Sequence, residues 1–389
     1  MGVVYQKSEL WTGRDYYYRN LFAATKSIAG EADIRYVLLK ESSVKNVSPA
    51  LLPYIDGVLE NPQPLPPPDF WKHQRIRFLK RLGMWREPAS YLGNFLQSNN
   101  INVVFSDVDL DSDLGIPIIS WIPDFQHIHF PNFFSEGELN YRNRIFKKLT
   151  TNSSLVVLSS QDAKRDFEQF APDQAAKARV LSFVSQLPKN VYKGNSADIC
   201  LQYNLPPRFI YLPNQFWMHK NHKLVLDALK LVYDSHPGIT IVCTGNTNEY
   251  RNPAYFGQLM AKIASEGLRD RMIILGFVPY EDIFRLMRQS LAVLQPSLFE
   301  GWSTTVEEVK SLGKAILLSN IQVHREQNPP RAVYFDPYDP SGLARCLIET
   351  SETYQPGPDS DLEEEASESL PGRTREFAKQ FLRILEEAI

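Results

Sequence analysis

"RMIILGFVPYEDIFRLMRQSLAVLQPSLFEGWSTTVEEVKSLGKAILLSN", residues 271–320, alternates three short apolar runs with two amphipathic stretches. The runs at 271–277, 291–297 and 314–320 read as strands, and 280–290 and 305–313 read as the helices between them. Strands that are apolar nearly throughout are buried on both faces, so the sheet they build is parallel and covered by helices on each side. The same rhythm extends in both directions. Further strands are predicted at 34–40, 101–106, 116–122, 154–160, 208–214 and 239–245, with helices at 16–30, 161–170, 222–235 and 255–267. The pattern restarts after "ARVLSFV" (178–184). The expectation is therefore an α/β chain with two Rossmann-like, doubly wound domains facing across a cleft. The boundaries expected are 1–188, 189–370 and a C-terminal helix over 371–389 that returns to the first domain. Ligands of such sheets bind beyond the carboxyl ends of the strands.

Composition narrows the class. The chain has 389 residues, long for one ordinary core, with 43% hydrophobic and 22% charged residues, both usual for a globular protein. A net charge of -3 argues against nucleic acid as the partner. The three cysteines, Cys200, Cys243 and Cys346, form neither a disulfide framework nor a CxxC site, which suits a reducing cytoplasm. No signal-peptide pattern and no apolar stretch of bilayer-spanning length is evident, so any membrane association is expected to be peripheral. "NPQPLPPPDF" (61–70) reads as extended loop. The acidic 351–372 reads as a solvated connection, and the polar 106–115 as a connecting loop without the Gly and closing Glu of a calcium loop.

Two glutamates, Glu300 and Glu308, stand with seven residues between them after the strand 291–297. Thr304 with Glu307 fits a capping box, so the helix is predicted to begin there. Its exposed amides suit a phosphate. Glu308, about one turn (roughly 5 Å) inside, suits the hydroxyls of a ribose, and Glu300 in the loop reaches those of a second sugar. Gly301 permits close backbone approach. The alternative is two surface glutamates beside a capped helix. Lys220, in a loop after the strand 208–214, supplies a charge for a diphosphate or is a plain surface lysine. Phe277 and Val278 offer a flat wall for a base, or simple packing.

Together these stretches resemble the retaining GT-B glycosyltransferases of the GT4 family, of the type that builds bacterial exopolysaccharide and envelope polysaccharide. The resemblance is strong over about 205–350. It rests on the Glu300/Glu308 pair, "QPSLFEG", "SLGKAILLSNIQVHRE", "GFVPYEDIFRLM", the loop ending "HKNH" and "VYFDPYDPSGLARCL". It is faint over 1–100, where "TGRDYYYRNLFAATK", beginning near Gly13, stands in place of a Gly-rich loop and first helix. The resemblance implies that Glu300 holds donor-sugar hydroxyls, Glu308 the ribose and Lys220 the diphosphate, with the amides of Gly301, Trp302, Ser303, Thr304 and Thr305 on sugar and phosphate. It departs from the family at Ser303, Thr304 and Thr305, where Gly, an aliphatic residue and Pro are usual. It departs again at Asn214, where many members have Arg and where Gln215 is a further amide. In the first half, Asp124 matches the second residue of a His-Asp pair and the His does not. His127 or His129 is the candidate replacement, with His127 taken as the catalytic one; the alternative is that these histidines simply pack. A metal held by these two histidines lacks further ligands.

The implied activity is transfer of a hexose, glucose as the best guess, from a UDP-sugar to a glycan or polyprenyl-linked acceptor, with no metal and no other cofactor. A dinucleotide-dependent oxidoreductase would need G-x-G-x-x-G, which is missing. An epimerase on the same plan and a non-catalytic nucleotide-sugar sensor remain as alternatives. Residues 70–86 carry six Lys/Arg and no acid, with Trp71, Phe78, Leu82 and Trp85 near helical spacing. They suit an interfacial helix on anionic lipid, or a helix packed on its own domain with a solvated basic face.

Overall fold

Among the described residues, short apolar runs rich in Val, Ile and Leu form thirteen parallel strands in two sheets. In the computed structural model, the residues described are all except 6–12, 29, 31–33, 41–43, 45, 61–89 and 111–113. The proline-rich 61–70 and the basic 70–86 thus lie outside the described residues. The first sheet contains β1 (Gly2–Tyr5), β2 (Val37–Lys40), β3 (Gly57–Glu60), β4 (Val104–Ser106), β5 (Ile118–Ile122), β6 (Leu155–Leu158) and β7 (Ala178–Val180). Its spatial order is β3-β2-β1-β4-β5-β6-β7. The second contains β8 (Ile210–Leu212), β9 (Ile241–Cys243), β10 (Met272–Ile274), β11 (Val293–Gln295), β12 (Ile316–Ser319) and β13 (Ala332–Phe335). Its order is β10-β9-β8-β11-β12-β13. Every pairing is parallel. The order reverses beside β1 and β8, so the crevices lie between β1 and β4 and between β8 and β11. This is the GT-B architecture of two Rossmann-like domains.

Helices cover both faces of each sheet. In the second domain, Val306, Val309 and Leu312 pack on one face with Phe284 and Met287. Leu224, Val225, Leu343 and Leu347 fill the other. In the first domain, helix Gly13–Ser27 brings Tyr17, Tyr18 and Phe22 against Phe105 and Trp121. The same cluster receives Phe377, Ala378, Phe381, Ile384 and Leu385 from the last helix, Ser360–Ala388. Phe381 meets Phe105 edge-on at 5.7 Å. The chain therefore crosses between domains twice, once through 181–209 and once along this helix.

The acidic 351–372 is not a solvated connection. Helix Pro340–Thr353 ends in it, and Ser360–Ala388 starts in it, with the Asp359 side chain accepting from the Leu362 amide at 3.2 Å. Leu362 and Ala366 are buried, and Glu363 forms a two-point ion pair with Arg288 at 2.6 and 3.0 Å. The apolar residues recur every three or four positions beneath the acids, so the charge run is one face of an amphipathic helix. Two helix starts also differ from expectation. Helix Thr304–Leu312 is capped by Ser303, not by Thr304: the Ser303 hydroxyl accepts from the Val306 amide at 3.4 Å. Glu307 closes no capping box. It is buried and pairs with Arg373 and Gln327. Helix Glu136–Asn152 has the capping box that the sequence reading passed over, at Ser135 and Glu138.

Candidate donor-binding site

The carboxyl ends of β8 and β11 open on the crevice of the second sheet, and the loops that follow them build one wall of a cavity of about 290 Å³ between the domains. After β8, the chain runs to Lys220 and then Asn221, which adopts a left-handed conformation at φ 59°. The Asn221 amide donates to Pro296 O at 3.1 Å and Pro337 O at 2.9 Å. The Met218 amide donates to the buried Glu249 carboxylate at 3.0 Å, and Leu298 N donates to His219 O at 2.8 Å. These bonds tie the β8 loop to its neighbours and aim Lys220 at Glu300, 2.5 Å away. Gln295, the last residue of β11, accepts from Asn214 at 2.5 Å and donates to Glu300 at 2.8 Å and Ser303 at 3.0 Å.

Glu308 lies one turn into helix Thr304–Leu312 and faces the same cavity. Its carboxylate is buried and has no hydrogen-bond partner among the described residues. Loss of water pushes its pKa up to about 7, and the Arg19 guanidinium from the first domain opposes that rise. Arg19 donates to the Tyr280 hydroxyl at 2.6 Å, and Tyr280 stacks on Tyr16 at 5.1 Å, so both domains meet beside this carboxylate. Phe277 and Val278 line the cavity at the carboxyl end of β10, with Phe277 68% exposed and free to cover a flat ligand.

The first domain supplies the opposite wall, including Gly13, Tyr16, Tyr17, Trp121 and Asp124. A side chain on Gly301 would meet Pro123 O at 2.2 Å and the Asp124 Cβ at 2.8 Å. Close approach between domains, rather than a special backbone angle, requires glycine there. Trp302 donates its indole N–H to Phe183 O at 3.0 Å across the same junction.

Of the residues singled out from sequence, Glu300, Lys220, Asp124, Glu308, Gly301, Trp302, Ser303, Thr304, Thr305, Asn214, Gln215, Phe277, Val278 and Gly13 all line this cavity. His127 does not. It is 2% exposed, packed against Phe125 and Phe146, with its Nε2 on Asn143 at 3.1 Å. Burial holds its pKa below the usual histidine value. His129 is bound to Asp166 at 2.8 Å, which raises its pKa, and its ring lies on Phe299. The histidine that lines the cavity is His219, beside Lys220, and burial keeps it neutral. Sequence reading also missed Gln295, Arg19, Tyr16 and Tyr280. Among the described residues, no group of three or more His, Cys, Asp or Glu is placed to hold a metal, and no helix is long and apolar enough to cross a membrane.

This arrangement can hold an anion between Lys220 and the start of helix Thr304–Leu312, with carboxylates on either side for hydroxyl groups. Lys220→Ala should lower turnover by about 10- to 100-fold, the worth of one buried charge-assisted bond. More of that loss belongs in the rate than in ground-state affinity, because charge grows on the bound anion during reaction. Steady-state kinetics beside calorimetry with the nucleotide check it, and unchanged turnover would place the lysine outside the reacting geometry.

Comparison with known proteins finds relatives over the same part of the chain. Residues 202–366 match the family described as "Glycosyl transferases group 1". The stretch takes in β8 through the start of the last helix, and so contains Asn214, Lys220, Glu300 and Glu308. Among solved structures, Anabaena Alr3699/HepE in complex with UDP and glucose superposes with a TM-score of 0.64 at 17% identity, covering 100% of this chain and 97% of that one. A sucrose-phosphate synthase from Thermosynechococcus elongatus gives 0.66 at 12% identity, covering 99% and 98%. A glycosyltransferase from Rickettsia africae gives 0.63 at 14% identity, covering 100% and 98%. These likenesses extend over both domains and show the GT-B fold. Comparison with curated protein sequences finds no significant match.

Proposed function

We propose that the protein is a glycosyltransferase that takes a hexose, glucose by preference, from a UDP-sugar and transfers it with retention to a glycan or polyprenyl-linked acceptor, as members of the GT4 family do in polysaccharide synthesis. The observation that carries this reading is Glu308: a buried carboxylate without a partner among the described residues, facing a cavity one turn inside a helix whose first amides, with Lys220 opposite, suit a diphosphate. A ribose supplies the two hydroxyl donors that such a carboxylate lacks. The group 1 match over the same residues supports it, as do the UDP and glucose named with the Anabaena structure.

In the proposed reaction the bond from the sugar C1 to the β-phosphate oxygen breaks, and the acceptor oxygen bonds to C1 on the same face. The acceptor proton passes to the departing phosphate oxygen. Lys220 and the amides at 303–305 stabilise the charge that develops there, and Glu300 orients the sugar. The scheme includes no metal. The acceptor enters from the side of Asp124 and Trp121. We further place the reaction in the cytoplasm, with the basic 70–86 touching an anionic membrane surface that presents a lipid-linked acceptor.

Thermal shift across UDP-, GDP- and ADP-sugars, followed by NMR of the sugar released on slow hydrolysis, tests the proposal. UDP-glucose should give the largest shift, and the first-formed glucose should keep the donor's α configuration. A shift with UDP-glucose but no turnover with any acceptor would make the protein a nucleotide-sugar sensor, and a β product would overturn retention.

A further inference from the structure

Gln295 is wholly buried at the end of β11, and its carboxamide is used on both sides. The oxygen accepts from Asn214 at 2.5 Å, and the nitrogen donates to Glu300 at 2.8 Å and Ser303 at 3.0 Å. The Gln295 and Lys220 donors both land on the same Glu300 oxygen, Oε1. No donor among the described residues is directed at Oε2. The carboxylate is thereby held in one orientation with one oxygen satisfied and the other available to the cavity.

We propose that Gln295 is a positioning residue for sugar transfer: it locks the Glu300 carboxylate so that Oε2 receives a hydroxyl of the donor sugar, and through Asn214 it fixes the β8 loop that carries Lys220. The proposal rests on the donor-site reading above. Its physical basis is that a carboxylate held within a fraction of an ångström of its working position needs its own packed and hydrogen-bonded support. Gln295 touches Glu300 directly and Glu308 only indirectly, through the Ser303 hydroxyl that caps its helix, so sugar transfer should suffer more than nucleotide affinity.

Two variants test it. Gln295→Leu removes all three bonds while nearly keeping the volume. Turnover of UDP-glucose should fall about 10- to 100-fold, as for loss of a charge-assisted bond, while UDP affinity falls by a clearly smaller factor. Gln295→Glu gives a sharper readout. Protonated, it has one acceptor for Asn214 and one O–H donor for Glu300, reproducing the essential bonds of the amide. Ionised, it sets a second negative charge against Glu300 in a buried place, which raises the midpoint of the pair. The charged groups facing it are Glu300 and Lys220, with the buried His324 nearby. Burial moves the His324 pKa down to about 4, so that imidazole stays neutral in the range tested. The ratio of Gln295→Glu to parent turnover, at saturating donor, should therefore rise as pH falls from about 8 to about 6.

UDP binding by the parent, measured first, tests the donor site independently of Gln295. If the parent binds UDP and Gln295→Leu keeps its turnover, the role of Gln295 is overturned and the donor site stands. A flat ratio for Gln295→Glu across this range also overturns it. Equal loss of UDP affinity and turnover would make the residue a general structural support. Should Gln295→Leu not fold, the Gln295→Glu ratio decides alone.

Discussion

Glu308→Gln should weaken UDP binding by about 30- to 100-fold and, without ligand, raise the melting temperature by several degrees at about pH 8. The two effects have one cause. Ionising a buried carboxylate whose midpoint stands at about 7 rather than 4.5 costs roughly 3 kcal/mol. Because the folded pKa is raised, the folded state holds the proton more tightly than the unfolded one. The cost is absent below the ordinary carboxylate range, grows as pH rises toward 7, and is complete above it. Glutamine removes the cost together with the charge-assisted bonds that the proposed ribose contact requires. For the parent, UDP affinity should be level above about pH 7 and fall as pH drops below it, since the free protein then takes up a proton that the bound state must release. The nucleotide phosphate titrates nearby, so the difference between parent and Glu308→Gln calorimetric curves isolates the carboxylate. Equal UDP affinity in the two proteins would refute the ribose assignment. Glu300→Ala should spare UDP and lose transfer.

Gly301→Ala should leave UDP bound within several-fold and reduce turnover by about 100-fold or more, because a displacement near 1 Å at a reacting centre has consequences of that size. The new methyl group would stand 2.2 Å from Pro123 O. The nearest atom is a backbone carbonyl oxygen, and the Asp124 Cβ is fixed by its own backbone, so no side-chain rotation relieves the contact. The second domain keeps its own fold, with Lys220 and Glu308 in place, but the Asp124 loop is pushed away from the sugar. Kinetics and UDP calorimetry on the purified variant check this. Undiminished turnover would mean that the reaction takes place with the domains further apart than here.

Much of this arrangement follows from local rules. Strand–helix alternation places the crevice, and the carboxyl ends of β8 and β11 then carry Asn214, Lys220, Glu300 and Gly301 into it. The stretch in which a glycosyltransferase resemblance is legible, about 205–350, lies within the residues 202–366 that match the group 1 glycosyl transferases. What escaped depends on contacts distant in the chain. Gln295 reads as the end of an apolar strand, and only folding brings Asn214 and Glu300 to its two ends. Arg19 and Tyr280 are 261 positions apart. His127 misled because the residues that bury it, Phe146 and Asn143, are far from it in sequence and come from helix Glu136–Asn152. The acidic helix was hidden by composition: its buried Leu362 and Ala366 are small in number beside its glutamates. Helix Glu136–Asn152 was available locally, since Ser135 and Glu138 spell a capping box.

The return of the last helix to the first domain has a consequence for how the chain comes into being. A ribosome adds roughly 5–20 residues each second, and domains ordinarily mature from the N-terminus as they emerge. Here Phe377, Phe381 and Leu385 complete the core around Tyr18, Phe105 and Trp121. The first half of the polypeptide must therefore wait, incomplete, while the second half is translated. The later-made domain can close first, since its six strands are complete by Phe335 and it needs only the first turns of the last helix, around Leu362, to finish its cover. It then guides the final helix back across the junction, so the order of maturation runs opposite to the order of synthesis.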